Sequence, residues 1–213
     1  MDKVTSNDII IIFNKIYDEM LKNKEYLIEL DSKAGDGDLG ISMCQGFAGV
    51  LEDLSGLDTN TIEPRKLILK AAMAINEHSP SSLGTILSAG MMGGSKAISG
   101  KDSLGVVEYR DFVQGALDGI CSRAGSKRGE KTILDAIGGA LDALDECVEE
   151  GADLKITAQK AAKGAYDGME KTKDMMAVHG RAAYYQEKTI GNVDGGATVG
   201  MLIFKAINEC VNQ

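Results

Sequence analysis

Apolar residues recur three or four positions apart along most of the chain. Ile9, Ile12, Phe13, Ile16 and Met20 form one such stripe, which is the spacing of one face of an α-helix. Thr5 precedes it with Asp8 three residues on, the arrangement of a capping box. Further stripes run through Leu67, Ala71, Ala74 and Ile75, through Phe112, Ala116, Gly119 and Ile120, and through Leu134, Ile137, Leu141, Leu144 and Val148. The pattern predicts helices over roughly 5–23, 39–54, 64–77, 82–99, 108–124, 131–150, 154–176 and 196–211, with a short piece near 25–30. Ala197–Cys210 is apolar on most sides and is expected to be a buried helix. No segment sustains the two-residue alternation of a strand. With no repeat, no low-complexity tract and no long linker, residues 1–213 are expected to form one all-α domain.

Composition supports that picture. The two prolines leave long stretches free of helix breakers. Hydrophobic residues make up 44 % and charged residues 26 % of the 213, too apolar for a disordered chain. Glycines on the inner stripes (Gly115, Gly119, Gly138, Gly139 and Gly164) would let helices approach closely. Acidic side chains outnumber basic ones 32 to 23, for a net charge of -9, and such a chain repels nucleic-acid backbones. No apolar run reaches the ~18 residues of a membrane span, and the first residues lack a basic n-region. Cys44, Cys121, Cys147 and Cys210 are far apart in sequence; they are expected to be buried thiols of a cytoplasmic protein, with neither a disulfide frame nor a zinc site.

The conspicuous polar stretch is Asp31-Ser-Lys-Ala-Gly35-Asp36-Gly37-Asp38-Leu39-Gly40. It contains GxGxxG, but no strand-helix-strand unit surrounds it, and Asp36 and Asp38 would face a pyrophosphate anion to anion. An EF-hand fails as well, because Phe47 stands where the bidentate Glu would be. Two readings remain. A glycine-rich turn can converge Asp31, Asp36 and Asp38 on a hard cation such as Mg²⁺, beside the free N–H groups of a helix starting near Leu39. Alternatively, the stretch is a solvated acidic turn that caps that helix.

Other stretches are weaker alone. Ser79, Ser81, Ser82 and Thr85 offer hydroxyls before a helix, for which N-capping is the simpler account. Gly125–Thr132 approaches a phosphate-binding P-loop, but Glu130 separates Gly129 from Lys131. His78 and His179 show no second ligand in the sequence, so neither points to a metal. Arg181, in a glycine-rich stretch before the last helix, could clamp phosphate or sit on the surface.

Taken in order, these stretches resemble the nucleotide-binding (DhaL-type) subunit of dihydroxyacetone kinases. That family shows Leu-Asp followed by GDxDHG and GF, an Ala-Ser-Gly stretch with a later Gly-Thr, GDKT, GRASY, and SIGxxDPGATS. Here the counterparts are Leu30-Asp31, Gly35–Gly40, Gly46-Phe47, His78-Ser79-Pro80, Gly84-Thr85, Gly129–Thr132, Gly180–Tyr184 and Thr189–Thr198. The departures are Leu39 for the family His, Pro80 for Gly, Gly195 for Pro and Glu130 for Asp.

The resemblance implies a closed up-and-down barrel of about eight antiparallel helices, with ADP or ATP held at one end by Mg²⁺. It makes Asp31, Asp36 and Asp38 the metal ligands. It puts Leu39, Gly40, Ile41, Ser42, His78 and Ser79 around the phosphates, and Ala124 and Ile133 near the base or ribose. Arg181, the candidate catalytic residue, closes over the nucleotide with Asp194, Gly195 and Gly196. A small ketose would be held on a separate substrate-binding subunit (DhaK-like). The phosphoryl donor would be a phosphotransferase-system phosphocarrier (DhaM-like) or free ATP, the stand-alone length favouring the former. A non-catalytic nucleotide-binding regulatory module is the alternative.

Overall fold

The computed structural model describes residues 1–213. Nine α-helices form: α1 (Ser6–Lys22), α2 (Lys24–Ser32), α3 (Leu39–Leu54), α4 (Pro64–His78), α5 (Ser82–Ala97), α6 (Val106–Ala124), α7 (Ile133–Glu150), α8 (Leu154–Lys171) and α9 (Gly195–Val211). A 3₁₀ turn at Thr172–Asp174 and a kinked 3₁₀ segment at Arg181–Thr189 lie between α8 and α9. No strand forms; the sole β-type pairing is one bridge between Val4 and Leu104.

Local signals set several boundaries. At the start of α1, Thr5 N–H donates to the Asp8 carboxylate at 2.8 Å while Asp8 N–H donates back to Thr5 Oγ1. Pro64 opens α4, where its missing N–H removes nothing the helix needs. Gly125 and Gly151 end α6 and α7 in the left-handed region, at φ of 66° and 65°. The helix expected over 154–176 stops at Lys171, because buried Thr172 bonds back to Met169 and the chain turns off the bundle.

Eight of the helices close a ring. Each of α3 to α8 packs against its successor, and α9 packs back against α1, which in turn meets α3. The short α2, bent from α1 at Asn23, lies against α3 and α9. No residue of α9 is fully exposed, as its apolar sequence foretold. One continuous apolar core fills the ring. All four cysteines are free; Cys121 is half-buried, contrary to expectation, because α6 buries only Val113 and Ile120 completely. No helix is long and apolar enough to cross a membrane.

Alternating direction around the ring sends every second connection to the same end. The turns before α3, before α5, before α7 and before α9 all line one cleft there. Two pairs of neighbours approach backbone to backbone. A Cβ at Gly93 would lie 2.2 Å from the Gly115 carbonyl oxygen, and one at Gly139 or Gly164 equally close to the other's carbonyl. Gly164→Val is therefore expected to force α7 and α8 apart and to cost roughly 2 kcal/mol or more. Urea unfolding checks this as a lower midpoint, whereas Met73→Ala on the exposed face of α4 should stay within about 0.5 kcal/mol of the parent.

Candidate nucleotide and metal site

The cleft at this end has a volume of about 1030 Å³. Its acidic corner is built by α2, the following turn and the start of α3. Asp31 is in the last turn of α2, so it stands on a helix and not on the glycine-rich turn itself. Its Oδ2 accepts N–H groups from Gly37 at 2.8 Å and Asp38 at 3.0 Å, which folds the turn back over the helix end. The fold-back requires Gly35, where a Cβ would lie 2.1 Å from Asp31 Oδ1, and Gly37, at φ +74°.

One carboxylate oxygen each from Asp31, Asp36 and Asp38 lies within 4.8 Å of the others. Asp38 occupies the N-cap position of α3, yet its side chain makes no capping hydrogen bond. The simple capping reading therefore fails for this residue, and the first-turn N–H groups of α3 keep no side-chain partner. Partial burial, then the neighbouring carboxylates of Asp36 and Asp31, raise the Asp38 carboxyl above its ordinary pKa, with Arg181 opposing. The donor set fits a hard divalent cation: all-oxygen, clustered, half-open to water, and mutually repulsive without a counter-charge.

The opposite wall is the long excursion between α8 and α9. Arg181 reaches across to Asp36, with Nη2 2.8 Å from Oδ2. The guanidinium thus rests on a carboxylate of the acidic corner, because that is the nearest negative charge. Asp194 N-caps α9 by accepting the Ala197 N–H at 2.7 Å. Burial pushes the Asp194 carboxyl up to about 6, while the Ala197 N–H and the Lys131 ammonium pull it back.

Of the residues expected here, Leu39, Ala124, Ile133, Arg181, Asp194, Gly195 and Gly196 line the cleft with the three aspartates. Gly40 and Ile41 in the first turn of α3 do not line it: Gly40 is pressed against the Lys24 carbonyl of α2, and the Ile41 side chain faces outward. Ser42, Ser79 and His78 do not line it. The Ser42 hydroxyl is 2.8 Å from buried Ser79 and 2.7 Å from Ser81, so the two inner hydroxyls satisfy one another. Ser81 and Ser82 face the cleft, and Ser81 also caps α5 by accepting the Gly84 N–H. His78 lies flat over Gly49 with Nε2 3.4 Å from Asp53, on the outer side of α3 and α4.

Two departures from the family motif meet in space. A Cβ at Gly195 would lie 2.7 Å from Leu39 Cδ2, so a leucine at 39 and a glycine at 195 accommodate each other. Sequence reasoning missed Leu83, Ile86 and Ile120, which with Ala124 make an apolar wall. Only Ile120 falls on an apolar stripe named from the sequence, and nothing in the periodicity of α5 or α6 sets any of the three apart from core positions. It also missed Lys131, which lies in a polar glycine-rich stretch and looks like a surface residue there.

The chain is also similar in sequence and fold to known proteins. The DAK2 domain family matches residues 33–209. Over 184 residues the chain is 28 % identical to the ADP-binding subunit DhaL of the PEP-dependent dihydroxyacetone kinase of Escherichia coli K12, covering 86 % of each. Over 194 residues it is 29 % identical to the ADP-binding subunit DhaL of PEP-dependent dihydroxyacetone kinase 1 of Listeria innocua, covering 91 % of each. Among solved structures, the native dihydroxyacetone kinase of C. freundii superposes with a TM-score of 0.71 at 21 % identity. That likeness covers 98 % of this chain and 36 % of the kinase, and it establishes the shared fold. With its eight-helix ring and its match across most of the sequence, the chain belongs to the DAK2 domain family.

Proposed function

We propose that the chain is the nucleotide-binding, phosphoryl-transferring subunit of a dihydroxyacetone-kinase-like enzyme. The observation that carries this is the pairing of three converging carboxylates with a helix start that no side chain caps. Asp31, Asp36 and Asp38 would hold Mg²⁺, and the first-turn N–H groups of α3 would donate to phosphate oxygens. The apolar wall of Leu83, Ile86, Ile120 and Ala124 gives a flat aromatic base a place away from water. The relatives named as ADP-binding subunits support ADP as the resident nucleotide, with ATP as the other candidate.

Phosphoryl transfer in such a site is chiefly positioning and charge neutralisation. Bound Mg²⁺ would supply neutralisation of the phosphate charge. Asp31 holds the turn rigid through the Gly37 and Asp38 N–H groups. Arg181, already poised over the acidic corner, would exchange Asp36 for the transferring group and bring its charge to it. The lid that carries Arg181 would keep water from the reacting phosphate. The ketose would come on a separate DhaK-like subunit, consistent with relatives named as ADP-binding subunits of a larger kinase. A DhaM-like phosphocarrier would recharge the nucleotide, consistent with relatives named PEP-dependent.

The packing of Leu39 against Gly195 favours one other reading. It fills the position of the family histidine with an apolar side chain, as a binding module without turnover would tolerate. Transfer of phosphate to dihydroxyacetone in the presence of substrate and donor subunits separates the two, since a regulatory module binds nucleotide and transfers nothing.

Asp36→Asn and Asp38→Asn are expected to abolish Mg²⁺-dependent retention of ADP with circular dichroism unchanged. Asp38→Asn should also melt no lower than the parent without metal, because it removes like-charge repulsion. Arg181→Ala should lower the transfer rate by about 10²-fold or more while ADP affinity falls less than about tenfold. Single-turnover transfer and equilibrium ADP titration measure the two separately, and equal losses in both would assign Arg181 to binding alone.

A further inference from the structure

The excursion from Lys173 to Val193 carries Arg181 and forms one wall of the cleft. Its two ends run side by side. Gly191 N–H donates to the Lys173 carbonyl at 2.7 Å, and Asp194 N–H donates to Thr172 Oγ1 at 2.9 Å. Such a segment, entered and left through one narrow neck, can move as a unit about that neck. Farther out, its contacts with the rest of the cleft include a solvent-exposed ion pair, Arg181 with Asp36, and a hydrogen bond between His179 Nε2 and Glu130 at 2.6 Å. Contacts of that kind hold weakly in water.

The neck is held differently. Lys131 is the one buried cation in the protein, 6 % exposed. Its Nζ donates to the Thr172 carbonyl at 2.5 Å and to the Asn192 carbonyl at 2.6 Å, one on each strand of the neck. No carboxylate lies within ion-pairing distance of it, although Asp194, Asp135 and Asp174 are near enough to offset part of its desolvation. Its backbone sits at φ +58°, a conformation that a side chain with a Cβ adopts at a cost. A strained backbone and a buried ammonium are both unfavourable locally, and a surface loop with no task would have neither.

We infer that Lys131 is a positioning residue: its ammonium clamps the neck of the lid, so that Arg181 and the start of α9 stay in register with the acidic corner. It does so across the loop between α6 and α7, whose next residue, Thr132, caps α7 and fixes the clamp's base on a rigid helix. Glu130 meets the lid's body through His179, so adjacent residues of one loop hold the lid firmly at its root and loosely at its middle. The lid can then swing without losing its place. This assignment rests on the nucleotide reading of the cleft for its consequence and on the lid geometry alone for its cause.

The test uses the full chain carrying Lys131→Met, Lys131→Arg or Thr172→Val, with hydrogen exchange in the absence of nucleotide and stopped-flow ADP kinetics in the presence of Mg²⁺. Lys131→Met is expected to speed exchange across residues 174–191 by about tenfold or more, with α5 and α8 as protected as in the parent. ADP should leave about tenfold faster, its association rate changing less than about twofold. Lys131→Arg, which keeps charge and donors, should restore most of the protection. Thr172→Val, which removes the neighbouring tie to Asp194, should loosen the same segment and carries the test if Lys131→Met does not fold. Parent-like lid protection in Lys131→Met would overturn the clamp, as would loss of protection spread evenly through α7 and α8. A parent chain that binds no ADP would instead sink the nucleotide reading, while the exchange data still judge the clamp.

Discussion

Three carboxylates held with their oxygens within 4.8 Å of one another repel at neutral pH, and the cleft end of this protein is arranged to keep them there. Asp31 is the anchor. Fixed on the last turn of α2, it takes two N–H groups from the turn that follows and so sets where Asp36 and Asp38 can stand. Gly35 and Gly37 allow the chain to pass that close. Arg181 supplies the one cation that touches the cluster, and it comes from the far wall of the cleft. Unsatisfied charge of this kind suits a hard divalent cation, and it is the basis of the proposed metal and polyphosphate site.

The ring explains why such a corner can face an apolar wall and a lid at once. Closing α9 on α1 leaves four connections at one end, each free to be polar because the core is complete without them. The connections contribute different chemistry: carboxylates before α3, a hydroxyl before α5, Lys131 before α7, Arg181 and Asp194 before α9. Close glycine contacts between α5 and α6 and between α7 and α8 hold the scaffold beneath them rigid. A nucleotide bound across this end would touch all four.

Much of this was legible in the sequence, for identifiable reasons. The helices follow from three- and four-residue spacing, and the Thr5–Asp8 box and Ser81 cap are local signals that the structure uses as such. The convergence of the three aspartates was one of two readings that the glycine-rich stretch allowed, the other being a capping turn, and the structure brings their carboxylates together. Facing was not legible. Within Ser79-Pro80-Ser81-Ser82 nothing local tells which hydroxyl turns inward, and Ser79 proved to be buried against Ser42. His78 turned out to rest on Gly49, a contact set by how α3 crosses α4. The lid was read as polar loop because 3₁₀ segments leave no periodic trace, and the burial of Lys131 depends on carbonyls 41 and 61 residues away.

The central claim is that the acidic corner grips a divalent cation that in turn holds the phosphates of a nucleotide. Calorimetric titration of the unmodified chain with ADP, once with Mg²⁺ in excess and once with the metal chelated, addresses it most directly. The account predicts saturable binding of one ADP per chain with the metal and little or none without it. Equal affinity in both buffers, or no binding in either, would contradict it.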